Sequence, residues 1–142
     1  MHKRSEIRAA LVAALEARSA LAGRVVSTRV RTTDVRELPI VIVYALREES
    51  EHVDVSMQLQ RTAKIAIEIK ARAADGEDLG DVLDGLCEEA EAGVYADTTL
   101  GGLAVGIELV QTAINLDGSG DARDGAAVLG FHVLYTTPRP TA

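Results

Sequence analysis

The sequence predicts an α+β fold: a largely antiparallel or mixed β-sheet, two helices packed on one face, and a long projecting β-hairpin. Three observations predict it. Residues 53–71 alternate apolar and polar for almost their whole length, from Val53, Val55, Met57 and Leu59 to Ala63, Ile65, Ile67, Ile69 and Ala71. That period of two marks a strand with one buried face. Two other segments, opening at Ser5 and Asp78, repeat apolar residues every three or four positions, as amphipathic helices do. Strands also succeed strands directly instead of alternating with helices, which favours hairpins over parallel crossovers.

Taken in order, Ser5 is the expected cap of the first helix, whose apolar side is Ile7, Ala10, Leu11, Ala14 and Leu15, and Gly23 is its expected end. Val25 to Arg31 has strand propensity, and Thr32 to Glu37 is a polar connection. Pro39 opens Ile40 to Leu46, apolar on both faces, as in a strand covered on both sides. Arg47 to His52 reads as a charged turn. The alternating run after it would span roughly 60 Å fully extended, against a diameter of about 35–40 Å for a compact chain of this length. It therefore bends or projects, and a projecting hairpin suits contact with another subunit or partner.

Asp75-Gly76-Glu77-Asp78 is a turn and a second cap, followed by the stripe Leu79, Val82, Leu83, Leu86, Cys87, Ala90 and Val94. Gly101-Gly102 breaks the chain. Val105, Ile107 and Leu109 alternate, and then the phase shifts to Val110, Thr112, Ile114 and Leu116, predicting a β-bulge near Leu109–Gln111. Asp117 to Gly125 is a Gly/Asp-rich loop. Ala127, Leu129, Phe131, Val133 and Tyr135 form a last strand, with Pro138 and Pro140 beyond it. Residues 1–142 read as one domain, with no internal repeat and no linker.

Composition narrows the function classes. Of the 142 residues 47% are hydrophobic, only 3% are aromatic and none is Trp, so the expected core is aliphatic. No run approaches the ~20 apolar residues of a membrane span. The basic start Met1-His2-Lys3-Arg4 is interrupted by Glu6, and no signal peptide is expected. One Cys excludes an intrachain disulfide framework. A net charge of −7 argues against gripping phosphate backbones through a broad basic face. A soluble, cytosolic product is the expectation.

Chemistry-bearing patterns are sparse. Cys87 lies on the apolar stripe among Asp84, Glu88 and Glu91, which fits an inert buried thiol and not a nucleophile. His2, His52 and His132 show no metal-ligand spacing. Asp117-Gly118-Ser119-Gly120-Asp121 has Ala122 and Val128 where a calcium loop needs Gly and Glu. Gly118 and Gly120 do not sit between a strand and a helix, so they make no phosphate loop. Catalytic, cofactor and metal residues are therefore expected to be absent. The charged segment Arg47, Glu48, Glu49, Glu51, His52 and Asp54 reads as a solvated docking tip. The polar face of the long strand (Gln58, Gln60, Lys64, Glu68 and Lys70) is the other candidate contact surface.

The layout resembles the tail terminator family of long-tailed bacteriophages, the group of the lambda minor tail protein U. The likeness rests on Arg4-Ser5-Glu6-Ile7-Arg8 opening a helix and on Leu38-Pro39-Ile40-Val41-Ile42-Val43-Tyr44 before an acidic segment. It continues through Ala63-Lys64-Ile65-Ala66-Ile67-Glu68-Ile69-Lys70-Ala71, the acidic helix ending Leu86-Cys87-Glu88-Glu89-Ala90-Glu91, and the closing strand Val128 to Tyr135. It lies in the order and spacing of parts, and the segments at Gly101 and Asp117–Gly125 depart from it. The resemblance implies a homo-oligomeric ring, six-membered by expectation. Such a ring ends tail-tube polymerisation and offers the surface where the head-completion or connector protein joins. DNA would pass through without specific binding. The implied location is the tail-neck end of the virion, with host cytoplasm during assembly. Other readings are a head–tail connector or neck protein, a small α+β ligand-binding module or enzyme, and a host protein that merely oligomerises.

Overall fold

The computed structural model describes residues 2–27, 38–52, 58–116 and 124–138. The elements run α1 (Lys3–Glu16), β1 (Val25–Ser27), β2 (Ile40–His52), β3 (Gln58–Arg72), α2 (Leu79–Tyr95), β4 (Gly106–Leu116) and β5 (Asp124–Pro138). The five strands form one mixed sheet in the order β1-β2-β3-β5-β4. Only β1–β2 is parallel; β2–β3, β3–β5 and β5–β4 are antiparallel. This is the expected α+β fold, with both helices on one face. The helix α1 lies over β1 and β2, and α2 over β3, β5 and β4.

The buried side of the sheet obeys the alternation seen in the sequence. Val41 and Val43 of β2 stand beside Ile69 and Ile67 of β3, and these beside Ala127 and Leu129 of β5. All six side chains are fully buried, with Ile65, Phe131 and Val133 in the next rows. Against them pack Ile7, Leu11 and Leu15 of α1 and Leu83, Cys87, Ala90 and Val94 of α2. Each fully buried Leu, Ile or Phe contributes roughly 1.5–3 kcal/mol of transfer free energy, so this layer is the main source of stability. The helices meet closely at Gly93, where an added Cβ would lie 3.2 Å from Arg18 Cγ and 3.3 Å from the Ala14 carbonyl oxygen. A glycine there lets α2 approach α1, and an Arg18–Glu89 ion pair at 2.9 Å ties the two together.

Several boundaries depart from expectation. The cap of α1 is His2, whose imidazole accepts from the Arg4 N–H, so the helix begins two residues before Ser5. Gly23, at φ +77°, does not end α1, which stops at Glu16; it closes the turns that lead into β1. The β1 strand is described from Val25 to Ser27; the rest of the expected strand and the 32–37 connection lie outside the described residues, as do Asp54, the loop 117–123 and Pro140. Strand β5 starts at Asp124 and runs to Pro138, longer than its apolar alternation.

The largest correction concerns Arg47–His52. These residues are not a turn. They continue β2, pairing in register with Lys64 to Leu59 of β3. The β2–β3 hairpin is thus built of strands of 13 and 15 residues, about 43 and 50 Å long at ~3.3 Å per residue. The predicted second cap stands: Asp78 accepts from the Asp81 N–H. So does the predicted bulge, since the β4–β5 register shifts between Leu109 and Gln111.

Candidate functional site

A second bulge decides which face each charged residue of the hairpin occupies. Ala45 pairs with Ile65, yet Arg47 pairs with Lys64, so Leu46 is the extra residue in β2. Without it, alternation from Val41, Val43 and Ala45 would send Arg47 and Glu49 toward the helices. The bulge reverses that phase. Glu48 and His52 therefore take the helix face, whereas Arg47, Glu49 and Glu51 take the outer face.

On the outer face the three meet the even-numbered residues of β3. Register places Gln58, Gln60, Lys64, Glu68 and Lys70 there, so eight of the eleven expected contact residues share one surface. Arg47, Glu49 and Glu51 are exposed, and Lys64 and Lys70 are half-buried. Lys64 lies in one row with His132 of β5 and Glu108 of β4, and its Nζ donates to Gln111 Oε1 at 3.2 Å. Among these five residues of β3 Glu68 is the buried one: it is only 8% exposed, accepts from the Tyr44 hydroxyl at 3.1 Å and faces Lys70 Nζ at 3.6 Å. Where β4 begins, a shallow concavity of about 490 Å³ is lined by Gln60, Thr62, Glu108, His132 and Leu134, among others. The surface is mixed in charge.

Glu48 does something different from what its acidic neighbourhood predicts. Its carboxylate accepts from the Tyr135 hydroxyl, from Arg61 Nη1 at 3.0 Å and from Arg4 Nη1 at 2.9 Å. Its side chain is 11% exposed and that of Arg61 14%. Arg61 Nε also donates to Thr137 Oγ1 at 2.8 Å. One carboxylate thus joins the start of α1, both arms of the hairpin and the end of β5. Burial raises the Glu48 pKa, but the bonds from Tyr135 and Arg61 and the charge of Arg4 outweigh it, holding the carboxyl below its ordinary range. Burial and the Glu48 carboxylate together push the Tyr135 hydroxyl up to about 12. This is a structural hub. Sequence reasoning assigns Glu48 to a free tip because its partners come from distant parts of the chain.

The remaining candidates stay separate. Cys87 is 7% exposed on the inner side of α2; burial first, then Glu91 and Asp84, raise its pKa and disfavour the thiolate. His132 is half-buried on the outer face. Among the described residues no three His, Cys, Asp or Glu side chains converge as a metal site. None of the described helices is long and apolar enough to cross a membrane.

No protein-family model and no curated protein matches the chain. Among solved structures, a chain from the virion of the native gene transfer agent (GTA) particle shares its fold. The TM-score is 0.51 at 14% identity, covering 92% of this chain and 95% of that one. At that identity the likeness is one of fold, and it runs nearly end to end in both chains.

Proposed function

We propose that the protein is a structural component of a phage-like virion, acting without catalysis as a tail terminator. In this reading residues 1–142 form one tail-terminator domain. Copies assemble into a closed ring, six by expectation, on the end of the tail tube. The ring stops tube growth and presents its other side to the head-completion or connector protein. It belongs to the tail-neck end of the particle, and assembly takes place in host cytoplasm.

The observation that carries the reading is a fold shared nearly end to end with a chain of the GTA virion. The long hairpin supports it, because its strands of 13 and 15 residues, with β5 paired along the whole of β3, make an outer face long enough to meet a partner. The net charge of −7 is a second support, since an acidic ring offers no phosphate neutralisation and lets DNA slide. The mixed outer face with Arg47, Glu49, Glu51, Gln60 and Lys64 is the surface assigned to the tube or the head protein. Polar rims of this kind set partner choice more than affinity.

The test is native mass measurement with and without the tail-tube protein, beside electron microscopy of labelled particles. A ring at the upper end of the tube, and overlong tails when the protein is withheld, is the expected result. A ring on the head vertex with tails of normal length would assign it to the connector instead. A single copy per particle would sink the ring.

A further inference from the structure

The two ends of the sheet differ in a way that a ring would use, and the contact between them rests on the ring reading proposed above. At one end lies β4, whose hydrogen-bonding edge has no strand neighbour among the described residues. Its first half is covered: the Leu109 N–H donates to the Tyr95 hydroxyl at 2.8 Å. The half beyond the bulge has no such cover among the described residues. There Val110, Ile114 and Leu116 are 42%, 51% and 47% exposed. An uncapped edge with apolar side chains is the element that pairs with another chain.

Charge indicates which chain. The contact with Leu109 fixes Tyr95 on the β4 side of α2, and at about 100° per residue Asp84, Glu88 and Glu91 share that side. Residues 78–116, which hold α2 and β4, contain eight carboxylates and no lysine or arginine. The opposite end of the sheet is β1, with Val26 42% exposed, beneath α1. Described residues 2–27 carry five cations against two carboxylates, a net +3 in a chain of net −7. Two of these cations, Arg4 and Arg18, are paired within the protomer with Glu48 and Glu89, so each protomer presents an acidic, apolar edge at one end of its sheet and a shorter edge with a smaller positive excess at the other.

Strand direction is compatible with joining them. The β1 strand is parallel to β2, and three antiparallel pairings separate β2 from β4, so β4 runs antiparallel to β1. A rotation about an axis roughly along the strands preserves that sense in the next copy. We infer that the β4–α2 edge of one protomer docks antiparallel onto the β1–α1 edge of the next, continuing the sheet around the ring. This is a heterologous contact, the type that closes into rings. Apolar burial at Val110, Ile114 and Leu116 supplies attachment, and the opposed charges select the head-to-tail pairing over back-to-back pairing.

The experiment uses the full chain with Cys87→Ala, adding Val26→Cys and Ile114→Cys together or singly, and a bismaleimide spacer to tolerate register. On assembled rings, the double variant should give a covalent ladder up to the ring size, and each single variant no ladder. Dimers from Ile114→Cys alone would mean a back-to-back contact and overturn the inference. Separately, Asp84→Lys with Glu88→Lys should raise the concentration for half-assembly by about tenfold at low salt, with the melting temperature held. In the unaltered chain, assembly should weaken as salt rises. If the Lys variant forms rings normally and rings of the double-cysteine chain yield no ladder, the edge assignment is overturned and the ring stands. A chain monomeric in every condition, tube ends included, would overturn both.

Discussion

Replacing Glu48 by Ala tests whether the outer half of the hairpin is held by one carboxylate. Three donors converge on it: the Tyr135 hydroxyl, Arg61 and Arg4. A hydrogen bond to a charged group contributes about 1.5–3 kcal/mol, so three taken alone would give roughly 5–9 kcal/mol. Two facts reduce that figure. The Arg4 side chain is 36% exposed and turns to water when its partner is lost, so its share is under about 1 kcal/mol. Arg61 keeps its 2.8 Å bond to Thr137 Oγ1. The residue of the loss is a buried tyrosine hydroxyl without its acceptor and half of a poorly hydrated ion pair. Together these cost about 2–4 kcal/mol.

At roughly 3 °C per kcal/mol for a chain of this size, Glu48→Ala should melt about 6–12 °C lower than the parent. Glu48→Gln keeps an acceptor for Tyr135 and should lose about half as much. Tyr135→Phe removes one donor without stranding another and should lose least. The assay is urea unfolding at pH 7 beside thermal melting, with an unchanged urea slope showing that the loss is one of native-state stability. If Glu48→Ala melts within about 1 °C of the parent, the three bonds do not hold the hairpin and the hub account is wrong.

Glu49→Lys with Glu51→Lys, leaving Glu48 intact, should shift melting by less than about 2 °C, because both side chains are exposed. The same pair should give overlong or headless tails in complementation if the outer face docks; normal tails would move docking elsewhere. Cys87→Ser should cost roughly 1–2 kcal/mol and Cys87→Ala about as much as a small cavity, and the native thiol should react far more slowly than a peptide thiol. For pH, Glu48 is held below its ordinary 4.5, so its contribution is complete above that value and is lost as pH falls through the folded pKa. Tyr135 is raised from 10 to about 12, so its contribution is complete below 10 and is lost as pH climbs toward 12. Urea midpoints should therefore be flat from about 4.5 to about 9, above which the raised Cys87 thiol begins to add its own loss, and Glu48→Gln should flatten the acid limb.

Legibility from sequence depends on whether a local pattern carries the feature. The bulge at Leu109–Gln111 is legible because adjacent apolar residues, Leu109 and Val110, break an otherwise regular alternation. The bulge at Leu46 is not. Ile40 to Leu46 is apolar at every position, so a change of phase leaves no trace in hydropathy. Missing it costs the whole assignment of faces, since one extra residue exchanges inside and outside. Charge alone makes Arg47–His52 look like a turn, although β3 offers six partners for it. The hub is hidden for a different reason: its donors lie 13, 44 and 87 residues from Glu48, beyond any local pattern. The cap at His2 escapes because an imidazole is an uncommon acceptor at that position, while Ser5 is a common one. The outer-face residues of β3 are legible because strict alternation sorts them correctly.

The same alternation explains why the β4 edge stands apart from the rest of the molecule. A chain that works as a monomer blunts its edge strands with charge, proline or a bulge. Here the bulge and Tyr95 blunt only the first half of β4, and the phase slip at Val110 carries Thr112, Ile114 and Leu116 back toward the helix face. That phase would bury them if α2 reached over the whole strand. It does so only in part: Leu116 touches the site of Gly125, beside Leu79 and Leu83, yet remains 47% exposed. The sequence thus commits apolar residues to an inward phase at a place where the described residues leave them partly uncovered. A core residue short of cover is a destabilising choice for an isolated chain, and a sound one where a neighbour completes the layer. The carboxylates beside it on α2 keep like edges apart and leave a basic edge as the compatible partner, which ties the half of β4 beyond the bulge to the same head-to-tail contact.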